Sequence, residues 1–147
     1  MNKELSVEKQ IVINASPEKI WEALTDKEKI KHYFFGTEAI SDWKVGSPLI
    51  FQGEFEGKTY QDKGEILVSE PGKKLQYTYW SGFSGLEDIP ENYSLVTYRL
   101  EGTDQGTSLS LSQAGFPSEQ NREHGESGWT MVLDNLKKLV ETDPKAG

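Results

Sequence analysis

The side chains able to do chemistry are few, and their spacing excludes the commonest catalytic sites. Two histidines, His32 and His124, stand far apart and neither belongs to a His-x₃-His or similar ligand pattern, so no metal is expected. There are no cysteines, which removes thiolate nucleophiles, disulfides and Cys-based metal sites. The nearest approach to a nucleophile elbow, Ser81-Gly82-Phe83-Ser84-Gly85, departs from the Gly-x-Ser-x-Gly spacing and has no strand-to-helix setting. Neither Gly82 with Gly85 nor Gly102 with Gly106 opens a helix in a Gly-x-Gly-x-x-Gly pattern, so no phosphate cradle and no cofactor are expected. Of the scattered carboxylates Glu54, Asp62, Glu65, Glu87 and Asp88, most read as outward and solvated. Asp62 differs: its parity with Tyr60, Gly64, Ile66 and Val68 points it inward unless a bulge resets the register. Val96, Tyr98 and Leu100 share one strand face, which leaves Thr97 and Arg99 on the other, and no acid–base pair can be assigned.

What remains is aromatic. Tyr77 and Tyr79 share a strand face and Trp80 takes the opposite one. Phe83, Phe116 and Trp129 flank a long loop and the last helix. Binding of an apolar or aromatic small molecule is the chemistry this set suggests, because such pockets are mostly apolar with a few polar groups. The candidate ligand-binding residues are Tyr79, Phe83, Tyr98, Phe116, Trp129 and, four residues further along the same helix, Leu133.

Those residues need elements to hold them. Val7, Lys9, Ile11 and Ile13 alternate with Glu8, Gln10 and Val12 as in a half-buried strand. Ser16-Pro17 then starts a helix carrying Ile20, Trp21 and Leu24 on one side, and Thr25-Asp26 interrupts it and caps a second, 27 to about 33. From there to Gln113 the pattern is strands and turns, with strands over 38–43, 48–55, 59–69, 74–81, 93–101 and 107–113. The loop 82–92 is the one long connection, the kind that forms a rim or lid. After Gln113 the period changes to 3.6: Trp129, Val132, Leu133, Leu136, Leu139 and Val140 form one stripe, with Ser118 as the cap, while Gly125 and Gly128 weaken the first turns.

The chain of 147 residues is the size of one domain, 1–147, with a core of about 5–142 and a tail at 143–147. Hydrophobic residues make up 35% and charged residues 27%, which is enough apolar material to fold. A formal net charge of −8 opposes phosphate backbones and anionic lipid, so nucleic acid and membrane surfaces are not expected partners. No secretory signal or membrane-inserting run is read at the N-terminus, and with the missing cysteines this fits a cytoplasmic protein, monomeric or weakly dimeric.

Strand, two short helices, six antiparallel strands and a long amphipathic helix make an α+β helix-grip fold: a seven-stranded antiparallel sheet curved around the C-terminal helix, with a cavity between. Strands and turns alone would also fit a lipocalin-like barrel. The opening Val7-Glu8-Lys9 to Ile13-Asn14-Ala15-Ser16-Pro17-Glu18-Lys19-Ile20-Trp21 looks like a helix-grip opening, and it is the ordered set of motifs, not any one of them, that carries the resemblance. With Val45-Gly46-Ser47, Asp62-Lys63-Gly64-Glu65-Ile66, Glu70-Pro71-Gly72-Lys73, Tyr77-Thr78-Tyr79-Trp80, Pro90-Glu91-Asn92-Tyr93-Ser94 and Gly128-Trp129, the sequence resembles the START-like (SRPBCC, birch-pollen-allergen-like) superfamily. Within it, the ordered set resembles the branch of the activator of heat-shock protein 90 ATPase homologue, C-terminal domain. The resemblance implies a hydrophobic ligand in the cavity without catalysis. It also implies two alternatives: a stress-response co-chaperone touching an ATPase chaperone, for which the activator's additional N-terminal domain finds no room, or a polyketide cyclase/dehydratase-like enzyme.

Overall fold

The structure is a computed structural model and describes residues 5–34, 36–81 and 86–142. The candidate Phe83 and the expected tail 143–147 lie outside the described residues. In chain order the elements are β1 (Ser6–Ile13), α1 (Pro17–Thr25), α2 (Lys27–Tyr33), β2 (Glu38–Ile40), β3 (Pro48–Phe55), β4 (Lys58–Glu70), β5 (Lys74–Tyr79), a 3₁₀ turn (Pro90–Asn92), β6 (Ser94–Thr103), β7 (Gly106–Ala114) and α3 (Glu119–Thr142). The strands form one seven-stranded antiparallel sheet in the order β1-β7-β6-β5-β4-β3-β2, the helix-grip arrangement.

Local chemistry sets these boundaries. The Ser16 hydroxyl accepts from the Lys19 amide at 3.3 Å with Pro17 in the first turn of α1, and Asp26 Oδ1 accepts from Glu28 and Lys29 at 2.8 and 3.3 Å to start α2. Ser118 Oγ accepts from the Asn121 amide at 3.2 Å at the head of α3. In β7, Thr107, Leu109, Leu111 and Gln113 point inward and are buried, while Ser108, Ser110 and Ser112 point outward. The inner face of the sheet and the buried side of α3, Trp129, Val132, Leu133, Leu136 and Val140, share one core with α1 and α2.

Three details depart from the sequence expectation. β2 stops at Ile40 rather than 43, because the chain turns: Trp43 takes a left-handed φ of 58° and its amide donates to Ser41 Oγ at 3.0 Å. β5 ends at Tyr79, and Trp80 keeps only an isolated bridge to Lys63. A bulge lies between Ile66 and Val68, so Val68 pairs with Gln76 instead of following Ile66 inward, and Ser69, opposite Leu75, turns in to donate to the Trp43 carbonyl at 2.6 Å. Before the bulge β4 presses so closely on β5 that a Cβ on Gly64 would lie 1.6 Å from the Thr78 carbonyl oxygen.

Candidate ligand cavity

Between the sheet and the first half of α3 lies a cavity of about 340 Å³. Its sheet wall is Phe51 from β3, Tyr77 and Tyr79 from β5, Val96 from β6 and Gln113 from β7. Its helix wall is Asn121, His124, Gly125, Gly128, Trp129 and Val132, and Phe34 and Phe116 close the sides. Those helix positions follow i, i+3, i+4, i+7, i+8 and i+11, so the cavity face is the upstream continuation of the apolar stripe. Small and polar residues there leave open the space that leucines and valines fill further along. A Cβ on Gly128 would meet nothing within 4 Å, whereas one on Gly125 would lie 2.6 Å from two ring carbons of Phe116.

The wall is a continuous aromatic lattice. Phe34 stacks on Phe51 with centroids 5.8 Å apart and meets Trp129 edge-on at 5.9 Å, and Phe51 tilts against Tyr77 and Tyr79 at 5.9 and 6.0 Å. Trp129 is fixed at its polar end: its indole N–H donates to Gln113 Oε1 at 2.7 Å, Gln113 Nε2 donates to Ser94 Oγ at 2.8 Å, and Ser94 Oγ donates to the Tyr79 carbonyl at 3.3 Å. A smaller pocket of about 110 Å³ adjoins it, sharing Tyr79, Ser81, Gln113, Phe116 and Asn121 and adding Leu86 and Asn92 from the long loop. Residues 87–93 are tied to Lys63 of β4 and to Trp80 just past the end of β5. Lys63 pairs with Asp88, Tyr93 donates to Asp88, and the Trp80 indole and the Asn92 amide both donate to the Glu87 carbonyl, at 3.2 and 2.8 Å.

Among the described lining residues there is no Asp, Glu, Lys or Arg. Tyr79 reaches one carboxylate: its hydroxyl donates to Asp62 Oδ2 at 2.6 Å. Burial and then the Asp62 charge hold the Tyr79 phenol well above its ordinary range. Burial does the same to Tyr33, Tyr77 and Tyr98, whose hydroxyls cluster behind the wall. All four stay neutral at physiological pH. The cavity can therefore enclose an apolar body, stack against it and offer hydrogen bonds from uncharged side chains such as Gln113 and Asn121. Among the described residues no group of three or more His, Cys, Asp or Glu could hold a metal ion, and no helix is long and apolar enough to cross a membrane.

Of the candidates, Tyr79, Phe116 and Trp129 come together in the wall. Tyr98 lies one layer deeper, its ring edge-on to Trp129 at 6.0 Å, and Leu133 is 2% exposed within the core; neither is a lining residue. Phe34, Phe51 and Gln113 line the cavity without having been singled out, and His124, weighed from the sequence only as a metal ligand, lines it as well. Gln113 carried a usable signal, since it shares the parity of Leu109 and Leu111 and so puts an amide on an apolar strand face. His124 carried another, at helical spacing from Gly128 and Val132. Phe34 had none, because it follows the last turn of α2, where no period applies.

The curled sheet, the covering helix and the aromatic space between them define a helix-grip domain. The chain belongs to the family described as Activator of Hsp90 ATPase homolog 1-like protein, which matches residues 14–141. Its fold is that of the solution structure of ChR145 from Cytophaga hutchinsonii, with 42% identity, a TM-score of 0.82, and 99% of this chain and 100% of that one covered. CalU16 from Micromonospora echinospora is 28% identical, with a TM-score of 0.70 over 95% of this chain and 77% of that one. The Aha1 dimer from Colwellia psychrerythraea, 21% identical with a TM-score of 0.74 over 95% and 98%, shares the fold. No curated protein matches the chain significantly.

Proposed function

We propose that this protein is a binding module that takes an apolar, ring-bearing small molecule into the cavity between the sheet and α3, without transforming it. The observation that carries the reading is the aromatic-walled space of about 340 Å³, which falls at the lower end of the range of about 300–1,000 Å³ for small-molecule sites. Its wall supports binding more than turnover. A cyclase or dehydratase needs an acid–base pair free to meet its substrate, and the Tyr79 proton is already directed at Asp62. Native mass spectrometry of protein purified from its own cells tests the reading, with a co-purified small molecule as the expected result. A ligand-free protein whose Trp129 fluorescence no apolar ring compound changes would refute it, and so would turnover abolished by changing one polar wall residue.

A second reading, contact with an ATPase chaperone, is favoured by the family to which the chain belongs. Concentration-dependent stimulation of a heat-shock protein 90 type ATPase would support it, and the cavity variants below would leave that stimulation unchanged if the contact is on the surface.

A further inference from the structure

Gln113 is 8% exposed and lines both the main cavity and the pocket beside it. A primary amide has two N–H donors and an oxygen with two lone pairs. Trp129 can only donate, so the atom facing it must be Oε1, and Nε2 must then be the atom that donates to Ser94. These two bonds hold the amide plane still. Among the described residues the side chain makes no other hydrogen bond, which leaves one N–H and one lone pair uncommitted. A buried donor of this kind strongly favours a ligand that satisfies it. The cavity around it is lined by Tyr77, Val96, Phe116 and Trp129, its other polar side chains are Ser81, Asn121 and His124, and no lysine or arginine is among the described lining residues to compensate an anion. A carboxylate brought to the Gln113 amide would lose its hydration and find no lysine or arginine to pair with. A neutral carbonyl oxygen matches what is on offer.

Building on the cavity reading above, we infer that Gln113 orients the ligand, and that the ligand is a neutral, apolar ring compound whose carbonyl oxygen accepts the free Gln113 N–H. Three probes of similar bulk test this on the full chain: 1-tetralone, tetralin, which lacks the oxygen, and 1-naphthoate, which carries a full charge. Binding is read from the Trp129 indole N–H resonance, and the polar contact from the Gln113 side-chain amide resonances. The wild type should bind 1-tetralone on the order of tenfold more tightly than tetralin, with the Gln113 amide moving for the ketone alone. Gln113→Glu keeps the size and still accepts from Trp129 but has no N–H, so it should reduce that ratio to one or below while tetralin still binds. Equal binding of ketone and hydrocarbon with an unmoved Gln113 amide would overturn the inference and leave the cavity reading standing. Failure of every probe to move Trp129 would overturn both. Tighter binding of 1-naphthoate than of 1-tetralone would overturn the neutral ligand class.

Discussion

Replacing Gly128 and Gly125 with alanine, three residues apart on the cavity face of α3, should move stability in opposite directions. Glycine inside a helix is less favourable than alanine by about 0.8–1 kcal/mol, so each substitution starts with that gain. At Gly128 nothing opposes it, because the new methyl would meet no atom within 4 Å. Gly128→Ala should therefore stabilise by about 1 kcal/mol, which for a chain of this size raises Tm by about 2–4 °C. At Gly125 the methyl would lie 2.6 Å from the Phe116 ring, and Phe116 is 6% exposed with its amide bonded to the Leu5 carbonyl at 3.2 Å. Forcing an extra carbon into a packed site costs about 1–3 kcal/mol, so the net effect of Gly125→Ala is a loss of about 0–2 kcal/mol. The two variants should differ by about 1–3 kcal/mol in urea denaturation at unchanged m-value. Equal midpoints for the two would refute the reasoning, since Phe116 would then be free to swing aside and the cavity side wall would not be fixed.

Leu136→Ala, at a position 0% exposed, should cost about 2–5 kcal/mol in denaturant unfolding, and a loss below about 0.5 kcal/mol would place it outside the core. Trp129→Phe removes the indole donor to Gln113 and should cost about 1–3 kcal/mol for the amide oxygen left unpaired, while abolishing the ligand-dependent fluorescence change. Tyr33, Tyr77, Tyr79 and Tyr98 are held neutral by burial. The stability tied to them is fully present below the free phenol value near 10 and falls as pH rises past it, because the unfolded chain releases those protons first. Absorbance at 295 nm should show these tyrosines ionising only with unfolding. Glu141 accepts from the Asn14 amide and from Lys137, which together hold its carboxyl below the usual range. Its contribution is present above the free glutamate value and lost as pH falls through the folded one, so Glu141→Gln should flatten the acid side of the stability profile. The wild-type advantage there should stay within the about 0–1 kcal/mol of an exposed pair.

Much of the fold was legible because it rests on local chemistry. Ser16-Pro17 and Asp26 cap their helices from side chains two or three residues away, and the change of period after Gln113 separates β7 from α3. The strands of expected range 48–55 and 59–69 appear as β3 and β4 almost unaltered, since alternation and turn residues are read over a few neighbours. The failures are equally local in origin. Nothing in the run 38–43 shows that Trp43 adopts a left-handed φ, and nothing around Ile66 and Val68 shows that a bulge turns Val68 away, because a bulge is decided by the partner strand.

The sequence by itself determined the order of elements, the faces of the regular strands, the apolar stripe of α3 and the absence of thiol, metal-ligand and nucleophile patterns. Each of these depends on residue type and short spacing. Only the tertiary structure decided which inward residues line empty space and which fill the core. Tyr79 and Tyr98 have the same inward parity, yet one borders the cavity and the other sits behind Trp129. The Gln113 amide became a candidate reader of ligand only when α3 brought Trp129 to its oxygen and β6 brought Ser94 to its nitrogen. Parity along a strand reports direction. Depth and hydrogen-bond partners are set by elements distant in sequence, and those are fixed only when the helix closes on the sheet.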